Sequence, residues 1–487
     1  MLGSFFFSIT LISPFFGALI LLVMPSKSFV LQKLFAFFCS CFILINSLCM
    51  WFFFDFNSSF FQFLLSLKWF SFLGLNYILG VDGLSVLFII LTSFLITICL
   101  LISWNYSNLF LKEYLISFLI LEGFLFQIFC VLDIFLFYIF FESVLLPTFF
   151  IIGVWGSRLR KIRAVLQFFI YTLIGSLFML IAFLVIFFET GSTDLQFLWN
   201  INFSENRQFF LWIAFFFSFA VKIPLPPFHI WLPEAHAEAP TAGSVILAGI
   251  LLKLGGYGFL RFALTLLPVA CNFFSPLIFL ISLLAAIYAS FGTLRQIDFK
   301  KIIAYSSIAH MGIVILGLFS INCGGLEGCI FLMFSHALIS SSLFLCIGFL
   351  YDRYKTRLIK YYGGLVQTMP IFSSLLLFFI FSNMGFPGTS SFISEFLILN
   401  SLFLLQTNLS IFAGLSTILS ATYSIWLFNR LCFGFLKNYY VFKFQDISRR
   451  EFWTLVPFVF LTIFFGFNSN LILNLLHLSV LNILNFY

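Results

Sequence analysis

The chain has 487 residues, 62% of them hydrophobic and only 8% charged, with a formal net charge of +7 and a mean hydropathy of +1.16. A soluble domain carries about 25% charged residues, so this composition excludes a water-soluble enzyme and places the chain in lipid. The apolar stretches run continuously for about 20 residues instead of alternating over about ten, which predicts membrane-spanning helices and not barrel strands.

About 14 spans are predicted on length and hydropathy. They begin near residues 4, 30, 84, 114, 134, 166, 209, 244, 274, 302, 327, 371, 408 and 452. No positively charged stretch precedes the opening apolar run, and no arginine-rich transit segment is present, so residues 1–23 read as the first span. The ten cysteines are scattered through apolar segments without a C-x-x-C pair. That pattern argues against a metal site, a cluster or a disulfide frame.

With odd-numbered spans running inward, basic residues gather on the inner side at Lys27, Lys33 and Lys112 and in segments 158–163, 295–301, 353–360 and 430–450, the last including Lys437 and Lys443. Lys68, Arg207 and Arg261 fall on the outer side. This positive-inside bias puts both termini outward, towards the intermembrane space in a mitochondrial membrane. The net positive charge is then a topology signal and needs no nucleic-acid partner.

The fourth span holds Glu122 and the fifth Glu142, in FYIFFESVLLPTFF. The seventh holds Lys222 and is interrupted at Ile223-Pro224-Leu225-Pro226-Pro227. The eighth holds Lys253, the tenth His310 and the eleventh His336. The twelfth is interrupted at Gly385-Phe386-Pro387-Gly388, and Glu395 follows within about two turns. An ionisable group at bilayer depth costs at least ~2.5–3.5 kcal/mol on insertion scales, so each needs a partner, water or a purpose. Broken helices expose backbone groups that lipid tolerates only inside protein or along a wet cavity, and paired breaks point to a transport site.

The two breaks lie five spans apart. Spans 4–8 (111–268) and 9–13 (269–435) are therefore expected to be five-helix repeats, the odd number inverting the second relative to the first. Residues 1–110 supply three further helices, and 436–487 an inner-side loop and the last helix. Each charge also has a bland reading. Lys222 would be a snorkelling or purely structural lysine, Glu142 a static counter-ion that lets it insert, and the histidines satisfied core residues.

His229-Ile-Trp-Leu-Pro-Glu234-Ala-His236-Ala-Glu238 is the densest polar stretch. His236-Ala-Glu238 has the H-x-E start of a zinc deaminase, but no P-C-x-x-C follows and no H-E-x-x-H occurs, so no metal is expected. We read the stretch as the inner-side connection beside a water-filled entrance. A lysine relays protons only when its proton affinity can be switched, and a carboxylate that approaches and retreats is a simple switch. A Glu142 that approaches and retreats from Lys222 would load and unload it. Transfer onward to Lys253, the histidines and Glu395 completes a path. No P-loop, G-x-G-x-x-G after a strand, haem pattern or cysteine cluster appears, so the driving energy must come from a partner.

Four segments carry a family resemblance: Glu142–Ala164, Phe219–Gly255, Leu294–Gly312 and Gly385–Leu399, with YDRYKTRLIKYYGGL in addition. They resemble the antiporter-like membrane subunits of respiratory complex I, most closely the mitochondrial ones, over residues 80–430. The resemblance implies an all-α polytopic fold of 14 helices with inverted five-helix repeats. It also implies that Glu142 and Lys222 form an ion pair, that Lys253 is the central lysine, and that Glu395 stands where sibling subunits carry lysine. The implied complex is the proton-translocating NADH:ubiquinone reductase. NADH, FMN, iron–sulfur clusters and ubiquinone are held by its other subunits, and the partners are sibling antiporter-like subunits and lipids. The ends, before residue 80 and after 430, match in hydropathy only. The alternative is an Mrp-like sodium/proton antiporter subunit using much the same residues, against which stands the single acid per helix where a sodium site wants several oxygen ligands.

Overall fold

The computed structural model describes residues 2–70, 75–105, 110–437 and 444–487; Lys443 of the basic inner segment lies outside them. Among the described residues, twelve helices are long and apolar enough to cross a membrane. Lipid offers no partner for backbone N–H and C=O groups, so an apolar chain satisfies them within each helix. By contacts the chain divides into two compact units, Met1–Lys222 with Tyr257–Phe273 and Asn474–Tyr487, and Ile223–Gly256 with Phe274–Leu473.

The first unit opens with α1 (Leu2–Val23) and α2 (Phe29–Phe52), then an antiparallel hairpin of β1 (Gln62–Phe70) and β2 (Leu75–Val81). Next come α3 (Gly83–Ile102), α4 (Leu111–Cys130), α5 (Ile134–Trp155), α6 (Lys161–Thr190) and α7 (Glu205–Lys222). The helix starts near the hairpin are capped, because four N–H groups at each start have no helical partner. Asp82 and Ser85 form a reciprocal capping box on α3, and Asp133 accepts from the backbone of Phe135 and Leu136 on α5. Bridge Leu79–Val131 ties the hairpin to the α4–α5 junction, and bridge Asp133–Asp194 ties that junction to the segment after α6. The helical ladder of α5 is irregular at Val144, between Ile134–Ser143 and Leu145–Trp155. Pro147 accounts for this: it lacks an N–H and crowds the carbonyl four residues back, at Ser143.

In the second unit α8 (Trp231–Glu238) follows the proline-rich break; α9 (Thr241–Leu266) carries Lys253 between π-helical turns at Leu247–Leu251 and Phe259–Ala263, and its residues from Tyr257 on belong to the first unit. Then come α10 (Pro268–Arg295), α11 (Phe299–Phe319), α12 (Cys323–Tyr354), α13 (Pro370–Asn383), α14 (Ser390–Leu405), α15 (Thr407–Cys432) and α16 (Arg449–Phe467). The apolar windows of α9 and α12 are fully buried in protein, so lipid-like hydropathy coincides with a core position. α13 and α14 are the halves of the second broken helix. Gly385 and Gly388 turn the break with φ of +73° and +93°, conformations that favour glycine.

The observed helices start within a few residues of the predicted spans, and both breaks occur where expected. Three features differ. The β hairpin was not anticipated, because its apolar run is short and its alternation weak. The last span stops at Phe467, and a further helix, α17 (Asn470–Leu484), follows it. Arg261, expected on the outer side with no burial foreseen, lies inside α9 and is 3% exposed.

Candidate functional site

In the first unit Lys222 is the last residue of α7, 2% exposed, where the proline-rich sequence ends the helix. Its Nζ stands 4.5 Å from the centroid of the Phe141 ring. Glu142, the next residue on α5, lies just before the Pro147 irregularity and interacts electrostatically with Lys222. Oε1 of Glu142 has no hydrogen-bond partner, and the pair does not close to salt-bridge distance. An ion pair held apart is the arrangement a switch requires, since the attraction still has room to grow. Glu122 on α4 is fully buried and neither carboxyl oxygen has a hydrogen-bond partner.

The second unit holds a row of titratable groups. Lys253 Nζ lies 2.9 Å from Nδ1 of His336 and donates to the carbonyl oxygen of Ala248 at 2.5 Å. Ala248 sits in the π-helical turn, and such turns leave carbonyls out of the regular ladder, free for a buried cation. The rings of His336 and His310 are 5.6 Å apart. His310 Nδ1 stands 3.3 Å from Oε1 of Glu395, and its Nε2 is 3.5 Å from the Tyr423 hydroxyl. All five residues are buried. A Cβ on Gly385 would stand 2.7 Å from Glu395 Oε2, so the break and the carboxylate are packed on one another.

The polar stretch around α8 is braced by cations of its own unit. Glu234 pairs with Lys301 at 2.5 Å, Glu238 with the buried Arg357 at 3.1 Å, and Lys300 donates to the Ala239 carbonyl at 2.7 Å. His229 lies against the rings of Tyr288 and Tyr305. His236 stacks flat on Phe344, 4.6 Å between centroids, with both ring nitrogens unpartnered.

The structure thus brings Lys253, His336, His310 and Glu395 into one row, and Glu142 beside Lys222. Sequence reasoning missed Tyr423, Arg357, and the buried pair of Asp82 and Arg261, 2.8 Å apart in the first unit. Arg261 had a visible signal, an arginine in the otherwise apolar run GGYGFLRFALTLL.

Comparison with known proteins bears on this geometry. The family described as NADH:quinone oxidoreductase/Mrp antiporter, TM, matches residues 132–420, which hold every residue of both groups. The chain belongs to that family. A protein of Chondrus crispus named NADH-ubiquinone oxidoreductase chain 4 is 60% identical over 98% of this chain and 97% of its own length. Proteins of the same name from Marchantia polymorpha and Arabidopsis thaliana are each 54% identical, covering 96% and 97% of this chain and 95% and 96% of their own. Among solved structures, a chain of respiratory complex I from Thermus thermophilus with bound NADH superposes with a TM-score of 0.88 at 27% identity, covering 99% of both chains. A chain of the Mrp complex from Dietzia sp. DQ12-45-1b shares the fold at TM-score 0.80 and 20% identity, over 98% of this chain and 52% of its own.

Proposed function

We propose that this chain is a proton-translocating membrane-arm subunit of respiratory complex I in the mitochondrial inner membrane, assembled with sibling antiporter-like subunits. It acts as part of the proton-translocating NADH:ubiquinone reductase. The observation that carries the proton role is the buried row of Lys253, His336, His310 and Glu395, in which successive groups are close enough to exchange a proton directly or through one water. A membrane scaffold with no transport role would carry this row of buried ionisable groups at a cost with nothing to show for it.

In this reading Glu142 controls Lys222. When the carboxylate approaches, the lysine holds its proton; when it retreats, the proton leaves towards Lys253 and on through the histidines to Glu395. Glu122, His229, Glu234, His236 and Glu238 are assigned to proton access. NADH, FMN, the iron–sulfur clusters and ubiquinone are assigned to other subunits, which supply the driving energy. Both termini face the intermembrane space, and the two broken helices belong to inverted repeats within a set of about 14 spans. The Mrp-like alternative has less support, because its solved relative shares the fold alone.

The test is proton pumping and quinone reductase activity of complexes carrying Lys222→Ala or Glu142→Ala, with assembly followed on native gels. An assembled complex that has lost both activities, or pumping more than electron transfer, supports the reading. An assembled complex that pumps normally makes the pair structural and overturns it.

A further inference from the structure

A cavity of about 360 Å³ opens in the first unit between the hairpin flank, the segment around Trp199 and α17, and its floor is the Asp82–Arg261 pair. Its walls bring Gln196, Thr265, Ser479 and Asn482 together, polar groups able to hold several waters. Asp82 Oδ1 accepts from the Ser85 N–H at 3.1 Å and from Arg261 Nη2 at 2.8 Å. The Asp82 side chain keeps 12% exposure while that of Arg261 keeps 4%, so the carboxylate is the more open of the two. Arg261 Nε donates to the Tyr257 hydroxyl at 3.2 Å, and that hydroxyl donates to the Phe129 carbonyl at 3.0 Å. From Tyr257 a chain of aromatic rings leads towards Lys222. The Tyr257 ring lies 6.4 Å from that of Phe137, Phe137 lies 5.7 Å from Phe141, and Phe141 carries the Lys222 ammonium on its face.

None of this is needed to fold a helix bundle. An ion pair in this position costs more to desolvate than a pair of packed apolar side chains, so its retention calls for a use. The cavity mouth lies at the end of the unit that holds residues 59–61 and 196–199. The basic segments around Lys27, Lys112 and Arg158–Arg163 lie at the other end, as the helix connections of α1, α2, α4 and α5 dictate. Resting on the proton-path reading above, we propose that this cavity is a water-filled port on the outer side through which protons handled by Lys222 exchange with the outer compartment. The Asp82–Arg261 pair forms its floor, and the rings of Tyr257, Phe137 and Phe141 form the dry gate between the port and Lys222. Protons cross a ring stack only if water enters it, so the gate opens by displacement of Phe137 or Phe141 when the adjacent Glu142–Lys222 pair rearranges. A transient water file is then the conductor, and no covalent step is involved.

The test uses the complete complex in sealed vesicles of either orientation. Asn482→Cys is treated with a bulky, membrane-impermeant thiosulfonate, and modification is read by peptide mass at that position. The port requires modification from the outer face only, followed by loss of proton pumping while NADH oxidation persists. No modification, or modification from the inner face only, overturns the port. Full modification with pumping intact also overturns it, and Lys222→Ala run in parallel shows whether the proton path fails with it. A second variant, Phe137→Ala, is expected to raise passive proton leak in the absence of NADH, and thiosulfonate block of Asn482→Cys in the same chain should abolish that leak. A leak that the block leaves unchanged overturns the gate.

Discussion

Lys253 Nζ and His336 Nδ1 lie 2.9 Å apart although 83 positions separate them in the chain. A direct lysine–histidine contact is stable only while the two groups share a single positive charge at most, since two cations at this distance inside a bundle repel strongly. The contact therefore limits the shared charge, in that a positive charge on one group disfavours a positive charge on the other. That is what a relay needs.

Lys253→Arg separates a relay from a counter-charge. Arginine keeps the positive charge but does not release its proton in a protein. Pumping and quinone reductase activity are expected to fall by about tenfold or more, ~1.4 kcal/mol or more of barrier, in a complex that still assembles on native gels. Activity near the wild-type level in the arginine variant would mean that only the charge matters.

His336→Leu removes the acceptor next to Lys253, and His310→Leu removes the link to Glu395. Each should block pumping, and the double variant should be no worse than either single one, because residues in series act as a unit. Rates measured for the two singles and the double in the same membranes check this. Multiplying losses would indicate parallel routes.

Gly385→Ala tests how tightly the second break holds Glu395. A non-glycine residue at this positive φ costs roughly 1–2 kcal/mol, and the new Cβ would press on the carboxylate at 2.7 Å. Thermal stability of the isolated complex should drop modestly while pumping falls more, because the carboxylate is pushed away from His310. An alanine variant with normal pumping would show that the contact has no bearing on the row.

Much of this was legible in the sequence for one reason: in a chain with 8% charged residues, every ionisable group within an apolar run is conspicuous. Lys253, His310, His336 and Glu395 stood out in that way, and the proline and glycine breaks marked the helix ends that the structure places beside Lys222 and Glu395. The hairpin was not legible, because QFLLSLKWF is apolar enough to pass for the edge of a span and only its pairing with β2 fixes it as a strand. Nor was the role of tyrosine. Tyr423 and Tyr257 sit in apolar helices where an aromatic residue excites no attention, and only the fold brings their hydroxyls to His310 and Arg261. Nor was the burial of Arg261 legible, because counting basic residues assigns a side of the membrane and not a depth, and only the fold brings Asp82 to it.

The pair of Glu238 and Arg357 gives the last prediction. Both side chains are buried, at 4% and 1% exposure, and they join α8 to the segment after α12. Removing one partner leaves an uncompensated charge, which costs about 3–5 kcal/mol, whereas replacing both by packed apolar residues is often nearly neutral. Glu238→Ala should therefore lower assembly of the complex severely. Glu238→Met with Arg357→Met should restore assembly, and pumping measured in that double variant then separates the two uses of the pair. If pumping returns with assembly, Glu238 is a brace for the broken helix and not a proton carrier. If the assembled double variant stays silent, Glu238 belongs to the access route, since bracing alone has been restored.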